Sequence, residues 1–115
     1  MKNQDTYIRF LSLMHAIEGK GELPALDLDA KHLLEVIAVK MSHGQAITVT
    51  DAMAMSNIAS PATIHRKLDQ LRLLGMIDSH YEGNNRRTKY LKPTEKAQQY
   101  FSMVGSLLQQ ATQQN

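Results

Sequence analysis

Ser60-Pro-Ala-Thr-Ile-His-Arg-Lys-Leu-Asp-Gln-Leu-Arg-Leu-Leu-Gly75 is the stretch whose reading decides the fold, because it carries a start signal, an apolar face, a polar face and a stop signal. Ser60 is the expected N-cap, able to accept from the unpaired amides of the first turn. Pro61 suits the first helical position, where no donor is needed, and Gly75 supplies a left-handed exit. At about 100° per residue, Ile64, Leu68 and Leu71 fall on one line. Ala62, Arg66, Asp69 and Leu73 fall on the opposite one, with Thr63, His65 and Gln70 flanking. The spacing predicts a helix over about 61–74 that is anchored by three aliphatics and offers a polar edge outward.

The flanking segments give that helix a context. Val49 to Ser56 has a short helical pattern, expected over about 50–56, joined to it through Asn57, Ile58 and Ala59. Thr50 can cap this short helix, with Asp51 favourable in its first turn. Met76 to Leu91 reads as a hairpin, with strand-like runs 76–82 and 86–92 around Gly83-Asn84-Asn85, residues that tolerate positive φ. Helix, tight turn, helix and hairpin together make a winged helix-turn-helix. Its second helix is expected to enter the DNA major groove with its N-terminal residues at base edges.

Upstream, Tyr7, Phe10, Leu11, Met14 and Ile17 form a helical stripe over about 5–18, widened by Ile8 and Leu13 and ended by Gly19 and Gly21. So wide a stripe predicts burial on two sides, against its own domain and a partner chain. Asp29 is the expected N-cap of a helix over about 30–43, with Leu28 and Leu33 placed as a hydrophobic staple. Leu33, Leu34, Ile37, Ala38 and Met41 form its core face. His32 and Glu35 share one edge of this helix, but two potential ligands without a third read as a solvated face rather than a metal site. Ala46 to Val49 is β-branched enough for the small strand that pairs with a wing, and Met53 reads as gap-filling core.

Downstream, Thr94 caps a last helix expected over about 95–112. Ala97, Tyr100, Val104, Leu107 and Ala111 recur at intervals of three and four, with Phe101 and Leu108 broadening the seam. No residue from Ala97 to Asn115 is charged. A long apolar seam without charge predicts packing against the first helix, in cis and across a two-fold axis.

Composition narrows the classes further. A length of 115 residues predicts a single domain, and 43% hydrophobic residues suffice for a modest core. The absence of cysteine removes disulfides, thiolate catalysis and zinc fingers. The N-terminus lacks a signal-peptide pattern and no apolar run approaches the roughly 20 residues of a membrane span, so a soluble, cytoplasmic protein is expected. Net charge is only +2, yet it is unevenly spread. Residues 1–59 carry five Lys/Arg against seven Asp/Glu, whereas residues 60–96 carry eight against four. The expected recognition helix and wing therefore hold the positive field, as phosphate neutralisation requires.

Val49 to Ile58, the helix from Ser60 to Leu71, Leu74-Gly75-Met76-Ile77 entering the wing and Leu91-Lys92-Pro93-Thr94-Glu95-Lys96-Ala97 leaving it carry a family resemblance. The chain resembles a small member of the MarR (multiple antibiotic resistance regulator) group of winged-helix transcription factors. That resemblance covers most of the chain. It implies a homodimer built from the first and last helices, bound to a pseudo-palindromic operator with recognition helices in major grooves about 34 Å apart. Members often respond to small ligands, but no effector residue is identifiable here. Where the family's wing has an aspartate that ties down an arginine two positions on, this chain has Asn84 or Asn85 before Arg86 and Arg87.

The expected DNA-binding residues follow from these placements. On the recognition helix they are Ser60, Pro61, Ala62, Thr63, His65, Arg66, Lys67 and Gln70; on the wing they are Asn84, Asn85, Arg86, Arg87 and Lys89. Thr63, Arg66 and Gln70 are candidates for base or backbone contact, with Arg66 suited to guanine or phosphate. His65 is divided between a phosphate contact and a packing role. The wing arginines suit the phosphate backbone or the minor groove, where arginine reads width rather than a unique base code. The alternative is a winged-helix module that binds protein, since fold alone does not imply function. No enzyme is expected, because the histidines and carboxylates form no nucleophile or ligand pattern. Neither a cofactor nor a metal is expected.

Overall fold

The protein, described over residues 2–113 in a computed structural model, contains α1 (Asn3–Gly19), α2 (Leu28–Ser42), β1 (Ile47–Thr48), α3 (Val49–Met53), α4 (Pro61–Leu73), β2 (Ile77–Tyr81), β3 (Lys89–Pro93) and α5 (Glu95–Thr112). This is a mainly helical winged helix-turn-helix with extra N- and C-terminal helices, as the sequence predicts. Packing divides it into two units: Leu26–Ala97, and the residues up to Ala25 together with those from Gln98 onward.

Within Leu26–Ala97, α4 forms on its own signals. The Ser60 hydroxyl accepts from the Thr63 amide at 3.3 Å, Pro61 occupies the first turn, and Gly75 leaves the helix at φ 74°. Ile64, Leu68 and Leu71 are fully buried. They pack in a core with Leu33, Leu34 and Ile37 of α2 and with Met76, Ile77 and Leu91 of the wing, all essentially inaccessible to water. Each such aliphatic side chain contributes about 1.5–3 kcal/mol relative to an exposed one, so this layer fixes the angle at which α4 is presented.

The sheet is antiparallel in the order β1-β3-β2. Leu91 lies opposite Ile47 on one side and Ser79 on the other, which pins the short β1 strand to the wing. Its buried side chain sets the face of the hairpin that meets the core, because a slip of one residue would turn Leu91 outward. Thr94 then locks the exit from the wing: its hydroxyl donates to the Gly75 carbonyl at 2.6 Å and accepts from the Ala97 amide at 3.2 Å, as a cap should. Lys96 adds a bond from Nζ to the Leu74 carbonyl at 2.8 Å, so the stop of α4 and the start of α5 are joined.

Several local expectations are corrected. Asp27, not Asp29, caps α2 through the Ala30 amide at 2.9 Å, and Leu28 is 81% exposed, so the expected staple is not formed. Ala38 is only half-buried and Met41 is exposed, narrowing the core face of that helix. Thr48, not Thr50, caps α3: its hydroxyl accepts from the Asp51 amide at 2.9 Å while the Asp51 carboxylate accepts from the Thr48 amide at 3.0 Å. This reciprocal box satisfies two amides at once, which a cap at Thr50 would not. α3 ends at Met53, and the link to α4 runs through turns rather than helix.

In the other unit, Met14 of α1 and Tyr100, Leu107 and Ala111 of α5 are buried. Arg9 donates through Nη1 to the carbonyls of Ala111 at 3.0 Å and Gln113 at 2.9 Å. A guanidinium there satisfies acceptors that the end of α5 leaves unpaired and complements its negative pole. Tyr7, Ile8 and Leu108 remain 60%, 54% and 49% exposed.

Candidate nucleic-acid interface

Three faces of α4 remain once its core line is buried. The outermost carries Ala62, Arg66, Asp69 and Leu73, all exposed. Arg66 is folded back toward the helix start, with Nη2 donating to the Thr63 hydroxyl at 3.1 Å, and that hydroxyl also accepts from Ser60 at 3.1 Å. Ser60, Pro61, Ala62, Thr63 and Arg66 are thereby gathered around one helix terminus. There, unpaired amides and a cation both favour a polyanion.

A second face turns toward the start of α2. Lys67 donates to the Asp27 carboxylate at 2.6 Å, with Gln70 of the same face contributing weakly to holding that carboxyl down. The Lys67 hydrogen bond, then the Ala30 amide, hold the Asp27 carboxyl below its ordinary value. Lys67 and Gln70 are half-buried, so the structure sets these two expected contact residues apart from the exposed cluster at the helix start.

The third face carries His65 and Arg72, bridged by Asp69 at the edge of the outermost line. Arg72 donates through Nη1 to Asp69 at 2.8 Å, and the opposite oxygen of that carboxylate lies 3.5 Å from His65 Nδ1. His65 is exposed, which rules out the packing role.

The wing tip, from Glu82 to Thr88, is shaped by Asn85. Its amide donates to the Glu82 carbonyl at 3.1 Å, and its side-chain oxygen accepts from the Arg87 amide at 2.9 Å. An asparagine therefore binds the residue two positions on through the backbone, leaving the Arg87 guanidinium out of that bond. Asn84, Asn85, Arg86, Arg87 and Lys89 are all exposed. The Arg86 guanidinium carbon lies 5.5 Å and Lys89 Nζ 5.9 Å from the centre of the Tyr81 ring, a geometry in which the ring quadrupole attracts both cations.

Asp69, Arg72 and Tyr81 are absent from the set predicted by sequence. Spacings of three and four residues on one helix would have joined Arg72 and His65 to Asp69. Tyr81 becomes visible only through the strand register that places it opposite Lys89.

No family model and no curated protein sequence matches the chain. Solved structures do. The adhesin competence repressor AdcR of Streptococcus pyogenes aligns with a TM-score of 0.54 and 23% identity, over 83% of this chain and 66% of that one. The chain thus spans just under two thirds of that protein's length. The haem sensor PefR of Streptococcus agalactiae, solved in complex with haem, aligns with a TM-score of 0.62 and 17% identity, over 96% and 76%. A MarR-like transcriptional regulator of Thermotoga maritima gives 0.61 and 15%, over 96% and 78%. The chain has the winged-helix fold of these MarR-like regulators.

Proposed function

We propose that the protein is a transcription regulator that binds double-stranded DNA sequence-specifically, with the start of α4 in the major groove and the wing on the backbone or in the minor groove. The observation that carries this reading is the pairing, on one unit, of a capped and exposed α4 terminus bearing Arg66 with a hairpin bearing Arg86, Arg87 and Lys89. The fold shared with a repressor and other regulators supports it. Arg66 is the reader of base edges; the wing cations neutralise phosphates and set the salt dependence.

The protein acts as a homodimer through α1 and α5. Tyr7, Ile8 and Leu108 are the apolar residues a second copy would cover. The dimer places two α4 helices on two half-sites, so the operator is pseudo-palindromic.

The test is selection of bound duplexes from a random library by the purified protein. An enriched inverted repeat is expected, with enrichment lost in Arg66→Ala; a library that stays random would refute sequence-specific reading. One observation favours the protein-binding alternative: Leu73, on the outward line of α4, is 89% exposed. Absence of DNA binding at low salt would favour that alternative.

A further inference from the structure

A cleft of about 360 Å³ opens between the α3 start, the third face of α4 and the returning strand of the wing. Its walls include His65 and Arg72 of α4, Tyr81 at the end of β2, and Arg87 and Lys89 of the wing. Among the described residues, no carboxylate lines it. Asp69 stands behind, with one oxygen committed to Arg72. The Arg72 Nε is buried and meets no acceptor among the described residues. The Arg72 side chain is nevertheless one-third exposed, and an oxyanion entering the cleft would accept a charge-assisted bond from the part of the guanidinium that Asp69 leaves free.

We propose that this cleft seats a phosphodiester of the DNA backbone, with Arg72 at its base and Asp69 as the residue that positions Arg72. The proposal rests on the DNA-binding reading above and assigns to it a contact that the sequence does not reveal. Arg72 lies nine residues beyond Thr63, about 13 Å along the helix axis at about 1.5 Å per residue. The major groove is about 12 Å wide, so with Thr63 and Arg66 at base edges the Arg72 end of α4 reaches the wall of the groove, where the phosphates run. Arg87 and Lys89 close on the same position from the wing, so the cleft clamps the strand between helix and hairpin.

The experiment measures affinity against salt for mixed-sequence and selected duplexes, using wild type, Arg72→Gln, Arg72→Lys and Arg66→Ala. Arg72→Gln is expected to weaken both duplexes equally, by about tenfold, and to reduce the salt slope by about 0.9, the value for one phosphate. Arg72→Lys should restore the slope while recovering only part of the affinity, since a lysine lacks the guanidinium fork. Arg66→Ala, by contrast, should lower the ratio of selected to mixed affinity. Neutral methylphosphonate linkages scanned along the duplex should reveal one position that weakens wild type and leaves Arg72→Gln indifferent.

An unchanged slope in Arg72→Gln, with steep salt dependence in wild type, would overturn the phosphate seat and leave the DNA reading standing. Absence of wild-type binding would overturn both. A third arm titrates inorganic phosphate into the protein alone, following the His65 and Tyr81 resonances. Saturation at low concentration, abolished by Arg72→Gln, would assign the cleft to a free anion and contradict the backbone assignment. If Arg72→Gln melts early, the Arg72→Lys comparison and the methylphosphonate scan still decide the question.

Discussion

Lys67 and Asp27 meet at 2.6 Å, and this contact ties α4 to the capped start of α2. Asp27 therefore has two tasks, satisfying the Ala30 amide and holding Lys67. Removing Lys67 disturbs one of them; removing Asp27 disturbs both. Lys67→Ala is expected to cost under about 1 kcal/mol, because the pair is partly solvated. Asp27→Ala should cost about 1–2 kcal/mol, since a helix cap is lost as well. Urea unfolding at neutral pH checks the order. Lys67→Ala should also leave the salt slope of DNA binding unchanged.

The same contact has a pH signature. The Asp27 carboxyl is held below its ordinary value of 3.8, so its contribution to stability is complete above that value and is lost as pH falls through the lowered one. The stability gap between wild type and Asp27→Asn should accordingly shrink in acid. Thermal melts at neutral pH and below pH 3.8 measure it, and a gap that stays constant would show that the carboxylate charge contributes nothing.

Gly75 leaves α4 at φ 74°, a conformation in which an added Cβ would meet only Lys96 Cδ at 3.6 Å. Space is thus available and the cost is one of backbone conformation. Gly75→Ala should destabilise by about 1–2 kcal/mol, and Gly75→Asn by less, because asparagine tolerates the left-handed region. Denaturant midpoints at unchanged m-value would confirm it.

Asn85 shapes the wing tip through its bond to the Arg87 amide. Asn85→Ala removes a bond worth about 0.5–1.5 kcal/mol locally, loosening the tip without removing charge. Affinity for duplex DNA should fall while the salt slope persists, and Asn85→Asp should restore the tip geometry, as read from the Arg87 amide resonance. Loss of slope in Asn85→Ala would contradict a purely positioning role.

Ile8 and Leu108 are exposed apolar residues on the two terminal helices. If a second copy covers them, Ile8→Asp or Leu108→Asp should convert a dimer into a monomer in sedimentation equilibrium, with affinity for an inverted repeat reduced more than affinity for a half-site. A monomeric wild type would remove the dimer from the account.

The fold was legible because its decisive signals are local. Ser60, Pro61 and Gly75 punctuate α4 within the chain itself, and Ile64, Leu68 and Leu71 state its buried face by spacing alone. What stayed hidden depends on distant partners. Asp27 and Asp29 are both acceptable caps two residues apart, and the chain distinguishes them through Lys67, far along the sequence, and by leaving Leu28 exposed. Thr48 and Thr50 pose the same ambiguity, resolved by the reciprocal bond to Asp51. For that reason too, Lys67 reads as an outward-facing residue although its bond goes to Asp27. The converse holds for Arg72: its link to Asp69 follows from helical spacing, but the cleft it lines exists only once the wing has folded back against α4.

The most direct test is the affinity of the purified protein for mixed-sequence duplex DNA as a function of salt, beside the Arg66→Ala/Arg87→Ala double variant. The account predicts binding near the micromolar range that falls steeply with salt and is abolished in the variant, since phosphate neutralisation dominates nonspecific affinity. Failure of wild type to bind at low salt, or binding indifferent to those two arginines, would contradict the assignment of α4 and the wing as a DNA-binding surface.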